Sequence, residues 1–174
     1  MKKTVIAATI ITTTLFCANV FAKDGTIRFV GDIVDSPCVV NPESQDQLVR
    51  LGQVKRASLL KDTVSTPVPF QIILEECDIT ADAGLSVEVG FTGEGAEEAP
   101  ELITLSGPGS AKKVGIQLLD ETGSAIALNT ETFTKENLVA NQNILNFAAQ
   151  YKKIGENVEI GHANGTADFN LTYK

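Results

Sequence analysis

Apolar and polar residues alternate along several short stretches of the chain, a pattern typical of half-buried β-strands. The clearest stretches are residues 85–93, 144–152 and 166–174, in which every second residue is apolar or aromatic. Further strands are predicted at 47–54, 70–77, 102–105, 114–120 and 125–128. Residues 133–138 are expected to form a helical turn or a loop. No helix of convincing length is indicated, so the pattern predicts an all-β sandwich.

Residues 26–34 follow the same alternation but stand apart from the other predicted strands. Ile27, Phe29, Gly31 and Ile33 share one face, and the polar residues of the stretch fall on the other face. No earlier strand is available to form a hairpin with this stretch. It must therefore pair at long range as an edge strand of its own sandwich, or serve another molecule.

The first 22 residues have the organisation of a secretory signal peptide. Lys2 and Lys3 precede an uncharged, largely apolar run, and Val20, Phe21 and Ala22 form a small-residue cleavage site. The run is too short and too rich in threonine for a membrane span. We expect the mature chain to begin at Lys23, with an N-terminal extension over residues 23–37 and one domain over 38–174.

The charge balance excludes two classes of partner. The whole chain has 14 basic and 22 acidic residues. Removal of Lys2 and Lys3 leaves 12 basic against 22 acidic residues, a net charge of −10. A chain this acidic is not expected to bind nucleic acid or an anionic membrane surface.

Two cysteines, Cys38 and Cys77, remain after the signal peptide is removed. An exported protein with an even number of cysteines is expected to pair them in a disulfide. A reactive thiol or a metal pair is the weaker interpretation, because no CxxC motif occurs and His162 is the only histidine.

Motifs that carry catalysis are missing from the sequence. It contains no GxSxG, no HExxH and no phosphate-binding loop. The acidic pairs Glu75–Glu76 and Glu97–Glu98 are adjacent, and neighbouring residues of a strand point to opposite faces. We therefore expect no enzymatic activity, no cofactor and no metal site.

Five segments together resemble a known family. They read GTIRFVGDIVDSPC (25–38), LEECDIT (74–80), VGIQLLD (114–120), LNFAAQY (145–151) and ADFNLTYK (167–174). The chain also has a glycine, Gly161, at the fourteenth position from its C-terminus, and a penultimate tyrosine, Tyr173. In this order and spacing, the set resembles the pilin subunits of chaperone–usher fimbriae, close to type 1 and P-pilus-like major subunits.

The resemblance implies an incomplete immunoglobulin-like β-sandwich that lacks its final strand and has a hydrophobic groove beside its C-terminal strand. A periplasmic chaperone would fill the groove first, and the N-terminal extension of another subunit would replace it at an outer-membrane usher. Ile27, Phe29, Gly31 and Ile33 map onto the donor strand. The strand that lines the groove and binds the chaperone maps onto Gly161, Ala167, Phe169, Leu171, Tyr173 and Lys174.

The implied function is that of a structural subunit of a bacterial surface fimbria, which supports adhesion and can reach a host-surface receptor through the fibre. A minor adaptor or a chain-terminating subunit remains an alternative within the family. Outside it, the alternative is a secreted carbohydrate-binding sandwich with a site on loops such as 92–100. The absence of tryptophan and an aromatic content of 6% weaken that alternative, because sugars usually stack on aromatic faces.

Overall fold

Ten strands and two short helices form within residues 24–80 and 84–174, the part of the chain that this computed structural model describes. The strands are β1 (Val39–Val40), β2 (Val68–Cys77), β3 (Val87–Gly93), β4 (Gly95–Ala96), β5 (Ala99–Ile103), β6 (Val114–Leu119), β7 (Ala125–Ile126), β8 (Thr132–Lys135), β9 (Asn141–Lys153) and β10 (Ala167–Tyr173). The helices are α1 (Pro42–Gln45) and α2 (Arg56–Asp62). The expected signal peptide lies outside the described residues.

The strands form two antiparallel sheets. The larger sheet has the order β1-β2-β9-β6-β5-β4, with β7 paired to β6, and the smaller sheet has the order β10-β3-β8. The long strand β9 holds the larger sheet together, because its first part pairs with β2 and its last part with β6. The predicted all-β sandwich is confirmed.

The core lies between the two sheets, where the alternating residues of facing strands meet. Val87 and Val89 of β3 and Leu145 of β9 are fully buried. Phe147 sits at the centre of an aromatic cluster, with its ring 5.2 to 5.6 Å from those of Phe70, Phe91 and Phe133. Such ring pairs contribute about 0.5–1.5 kcal/mol each beyond the area they bury.

Cys38 and Cys77 form the disulfide that the sequence predicts. The bond joins the residue before β1 to the last residue of β2, and both cysteines are buried. Beside the bond, the main-chain N–H of Asp78 donates to the carbonyl oxygen of Pro37 at 2.8 Å. The start of the sandwich is thereby fixed to the end of one of its long strands.

The structure differs from the sequence prediction at three places. Residues 47–54 are not a strand, because no strand within residues 24–80 and 84–174 supplies backbone partners for them. Residues 132–135 are a strand rather than a turn, since β3 offers them a free edge. Residues 24–35 have no regular secondary structure.

The chain divides after Ile33 into an N-terminal unit and the unit that contains the sandwich. In the described residues, no helix is long and apolar enough to cross a membrane.

Candidate functional site

The last strand, β10, has one paired edge and one open edge. It pairs with β3 through seven residues, from Ala167 opposite Gly93 to Tyr173 opposite Val87. Among the described residues no strand pairs with its other edge. An open edge presents a row of backbone N–H and C=O groups that a further strand can bind.

The inner face of β10 is only half-buried. Phe169 and Leu171 pack against the core yet stay partly exposed, whereas Val89 and Phe91 on the neighbouring β3 are at most 4% exposed. Ala167 and Tyr173 share the face and the partial exposure of Phe169 and Leu171. Apolar side chains are therefore only partly covered along the whole strand, as expected where a neighbouring strand is missing.

Two cavities lie along the chain that leads into β10, and one of them reaches the first three residues of the strand. One, of about 420 Å³, lies between residues 44–51 and 165–169. The other, of about 570 Å³, lies between residues 52–59 and 158–164. Each wall is a continuous stretch of chain, so the two cavities form one groove. The apolar floor and walls of the groove include Leu51, Val54, Phe70, Ile72, Phe91, Ile116, Leu118, Tyr151 and Phe169.

Glycines bring one wall of the groove close to the larger sheet. A Cβ atom on Gly161 would lie 2.4 Å from the carbonyl oxygen of Gly109 and 2.5 Å from the nitrogen of Ala111. Next to it, the N–H of His162 donates to that same Gly109 oxygen at 3.0 Å. Gly165 has a similar constraint, because a Cβ atom added to it would lie 2.9 Å from the carbonyl oxygen of Thr104. The wall is held by backbone contacts that leave no room for a side chain.

Substitution of Gly161 by alanine is expected to lower the free energy of unfolding by about 2–3 kcal/mol, because rigid backbone atoms would have to move. Gly155→Ala is the matched control, since its Cβ would meet only the Lys113 side chain, at 3.5 Å. We expect the control to change stability by less than about 1 kcal/mol. Urea denaturation of both variants gives the comparison, and equal stabilities would contradict the close-approach argument.

The hydroxyl groups of Tyr151 and Tyr173 differ in their hydrogen bonding. The Tyr151 hydroxyl donates to the carbonyl oxygen of Ala163 at 2.8 Å and thereby ties β9 to the groove wall. The Tyr173 hydroxyl is buried and has no hydrogen-bond partner in the described residues. Burial raises the pKa of Tyr173, and the nearby Ser36 hydroxyl opposes this shift. Ser36 Oγ itself donates to the carbonyl oxygen of Cys38.

Lys174 continues the strand beyond Tyr173. The backbones of Lys174 and Ser86 exchange hydrogen bonds of 2.9 and 3.0 Å, and the Lys174 ammonium pairs with Glu88 at 2.6 Å.

No group of three or more His, Cys, Asp or Glu side chains in the described part of the chain could hold a metal ion. The site is thus a strand-shaped apolar groove with an open backbone edge.

Residues 27–174 match the family described as Fimbrial protein. The chain belongs to this family. It is 39% identical to Long polar fimbria protein A of Salmonella typhimurium, over 100% of this chain and 98% of that protein. It is 34% identical to the type-1 fimbrial protein, A chain, of Escherichia coli K12, over 97% of this chain and 93% of that protein.

Solved structures agree with the sequence matches. The P pilus rod subunit PapA superposes with a TM-score of 0.67 at 28% identity, over 80% of this chain and 100% of that chain. A subunit of a chaperone–usher pilus superposes with a TM-score of 0.70 at 28% identity, over 87% and 96%. The fimbrial chain is therefore a structural pilus subunit with an incomplete immunoglobulin-like sandwich, and it polymerises with other pilin subunits in a surface fimbrium. A carbohydrate-binding sandwich is not favoured.

In this fimbrial subunit the residues assigned to the donor strand are exposed. Ile27 is 79%, Phe29 91% and Ile33 fully exposed, and no atom lies within 4 Å of a Cβ placed on Gly31. The sequence predicted a groove strand from Gly161 to Lys174, and of the residues assigned to it Gly161, Ala167 and Phe169 line the two cavities. The sequence did not predict that residues 47–54 form the opposite wall or that Gly165 lies close to Thr104. Both depend on contacts between segments that are far apart in sequence.

Proposed function

We propose that the fimbrial subunit polymerises head to tail by donor-strand exchange, with the N-terminal extension of one copy in the groove of another. Ile27, Phe29 and Ile33 would supply the apolar side chains that the groove lacks, and Gly31 would let the donor backbone pass close to the groove floor. The extension over residues 23–37 would then act as a separate functional part from the domain over 38–174.

The half-buried inner face of β10 is the observation that carries this proposal. Its four apolar residues need cover, its outer edge needs hydrogen-bond partners, and the extension offers an exposed strand-length segment of alternating apolar residues. Burial of Ile27, Phe29 and Ile33 would contribute about 1.5–3 kcal/mol each. Backbone pairing along β10 would add to this. A contact between two different surfaces of identical copies generates a fibre whenever its rotation does not close a ring.

Before assembly, the same groove would bind a strand of a periplasmic chaperone. Gly161, Ala167, Phe169, Leu171, Tyr173 and Lys174 are the residues that we assign to both complexes. An uncovered apolar groove and an open strand edge favour aggregation, so a subunit exported through the periplasm needs such cover until an outer-membrane usher adds it to the fibre.

The open groove favours an elongating subunit over a chain terminator, which should not admit an incoming strand. Adhesion to a host-surface receptor would be a property of the assembled fibre.

Gly31→Leu tests the donor role. The added side chain would collide with the groove, and a cost of about 1–3 kcal/mol predicts fibre growth about 5- to 150-fold slower. Val30→Leu is the matched control, because its new side chain lies on the opposite face of the donor strand. Growth is measured by light scattering from seeded mature subunits. Equal rates for Gly31→Leu and Val30→Leu would overturn the proposal.

A further inference from the structure

Basic side chains concentrate at one corner of the larger sheet. The register pairs Lys153, the last residue of β9, with Val114, the first residue of β6. The carbonyl oxygen of Thr63, just after α2, accepts from the N–H of Lys153 at 2.8 Å and places α2 at the same corner. We call this the basic corner, and its cations are Lys55, Arg56, Lys61, Lys112, Lys113, Lys152 and Lys153.

Ion pairs neutralise only part of the basic corner. Lys61 pairs with Asp62, Lys112 with Glu159, Lys113 with Glu98 and Lys153 with Glu156. Lys55, Arg56 and Lys152 have no ion-pair partner in the described part of the chain. Seven cations less four carboxylates leave a charge of +3 on a chain that is acidic as a whole. Lys55 and Arg56 also line the larger cavity of the groove.

The opposite charge gathers where the extension joins the sandwich. Glu75, Glu76 and Asp78 flank Cys77, and Asp35 lies three residues before its disulfide partner. We call these four residues the acidic shoulder. The segregation is marked in the sequence, because no lysine or arginine occurs at 29–49 or at 62–111.

We propose that the basic corner docks the acidic shoulder of a second copy, the one whose extension occupies the groove. This inference rests on the proposed donor-strand function. An extension seated in the groove keeps the body of its own copy within a few residues of one groove mouth, and the mouth at Lys55 and Arg56 is basic. The opposite end of the apolar face of β10, at Tyr173, lies near Ser36 and so next to the acceptor's own acidic shoulder, where a second shoulder would be repelled.

The contact would act mainly on the rate of assembly. Charges that are complementary across an interface steer encounter and disfavour wrong orientations. Mature copies carry a net charge of −10 and repel one another, so a local attraction at the correct mouth would select where an incoming extension begins to bind. The salt dependence of the parental chain alone would mix this attraction with the overall repulsion.

Arg56→Glu, compared with Arg50→Glu, separates the two effects. Both arginines are exposed and both variants change the net charge equally, but Arg50 is not one of the cations of the basic corner, and its side chain is not among the residues that line the two cavities. Arg56 is the first residue of α2, where an acidic side chain is tolerated, so folding should be unaffected. Seeded fibre growth of full mature chains is followed in 10 mM and in 1 M salt.

We expect Arg56→Glu to grow about tenfold more slowly than Arg50→Glu in 10 mM salt, where the Debye length is about 30 Å. In 1 M salt, where it is about 3 Å, the two should grow at equal rates. Equal rates in 10 mM salt would overturn the proposal.

The double variant Asp35→Lys Arg56→Glu identifies the occupant of the basic corner, because it exchanges the charges of the two surfaces. Faster growth than Arg56→Glu alone supports the acidic shoulder as the occupant, and no recovery would overturn that assignment. If the donor-strand proposal itself were wrong, the result would be different: Gly31→Leu would form fibres at the same rate as Val30→Leu.

Discussion

Mature chains that lack residues 23–33 are expected to fold but to form no fibres by themselves. The deletion ends where the sandwich unit begins, at Val34, and leaves the groove, the disulfide and both sheets intact. Such a chain can accept a donor strand but has none to give. Circular dichroism should show an intact β-sandwich, and electron microscopy should show no filaments. Filaments of normal length from the deleted chain would contradict donor-strand exchange.

A mixture of deleted and full-length chains gives a sharper result. Each deleted chain that accepts an extension ends the fibre at that point, so a minor fraction of it should shorten fibres in proportion to its amount. Addition of the same amount of Val30→Leu full-length chain is the control and should leave fibre length unchanged. Length distributions from electron micrographs distinguish the two. Unchanged lengths with the deleted chain would mean that its groove does not accept the extension.

Replacement of both Cys38 and Cys77 by alanine is expected to lower the free energy of unfolding by about 4 kcal/mol. The two cysteines are 39 residues apart in sequence, and opening a loop of this size restores that much conformational freedom to the unfolded chain. Since single-domain proteins are stable by only about 5–15 kcal/mol, much of the sandwich's stability would be lost. Urea denaturation measures the change, with subunits whose groove is filled by a donor strand.

A reducing agent supplies the control for the disulfide. It should destabilise the parental subunit by a similar amount and leave the double alanine variant unchanged. Sensitivity of the double variant to the reducing agent would show that the effect does not come from this bond. A double variant as stable as the parent would contradict the loop-entropy argument.

The sequence predicted those strands whose inner residues face a completed core. Every second residue is buried from Val87 to Phe91 in β3 and from Asn143 to Tyr151 in β9, so the alternation is strong and the prediction is correct. Residues 47–54 show similar alternation but border the groove, where no strand lies beside them. In β8, Phe133 is the only large apolar residue, so its pairing with β3 could not be read locally.

One side of the candidate site could be predicted in the same way. The alternation of β10 and the family resemblance of its last residues predicted groove roles for Phe169 and Leu171. Both lie on the inner face of β10, and Phe169 lines one of the cavities. The opposite wall and the close approach of Gly165 to Thr104 depend on chain segments about 60 residues or more away, which no local pattern reports. The donor role of residues 27–33 stays a prediction.

The position of the disulfide has a mechanical consequence for a fibre assembled through the extension. Tension on the fibre would enter each subunit through the residues just before Cys38. The next strand, β1, has only two residues paired with β2 and would peel away under a small force. The Cys38–Cys77 bond passes the load directly into β2, which pairs with β9 at eight positions. A covalent link would therefore protect a strand with only two paired residues from the pull of the neighbouring subunit.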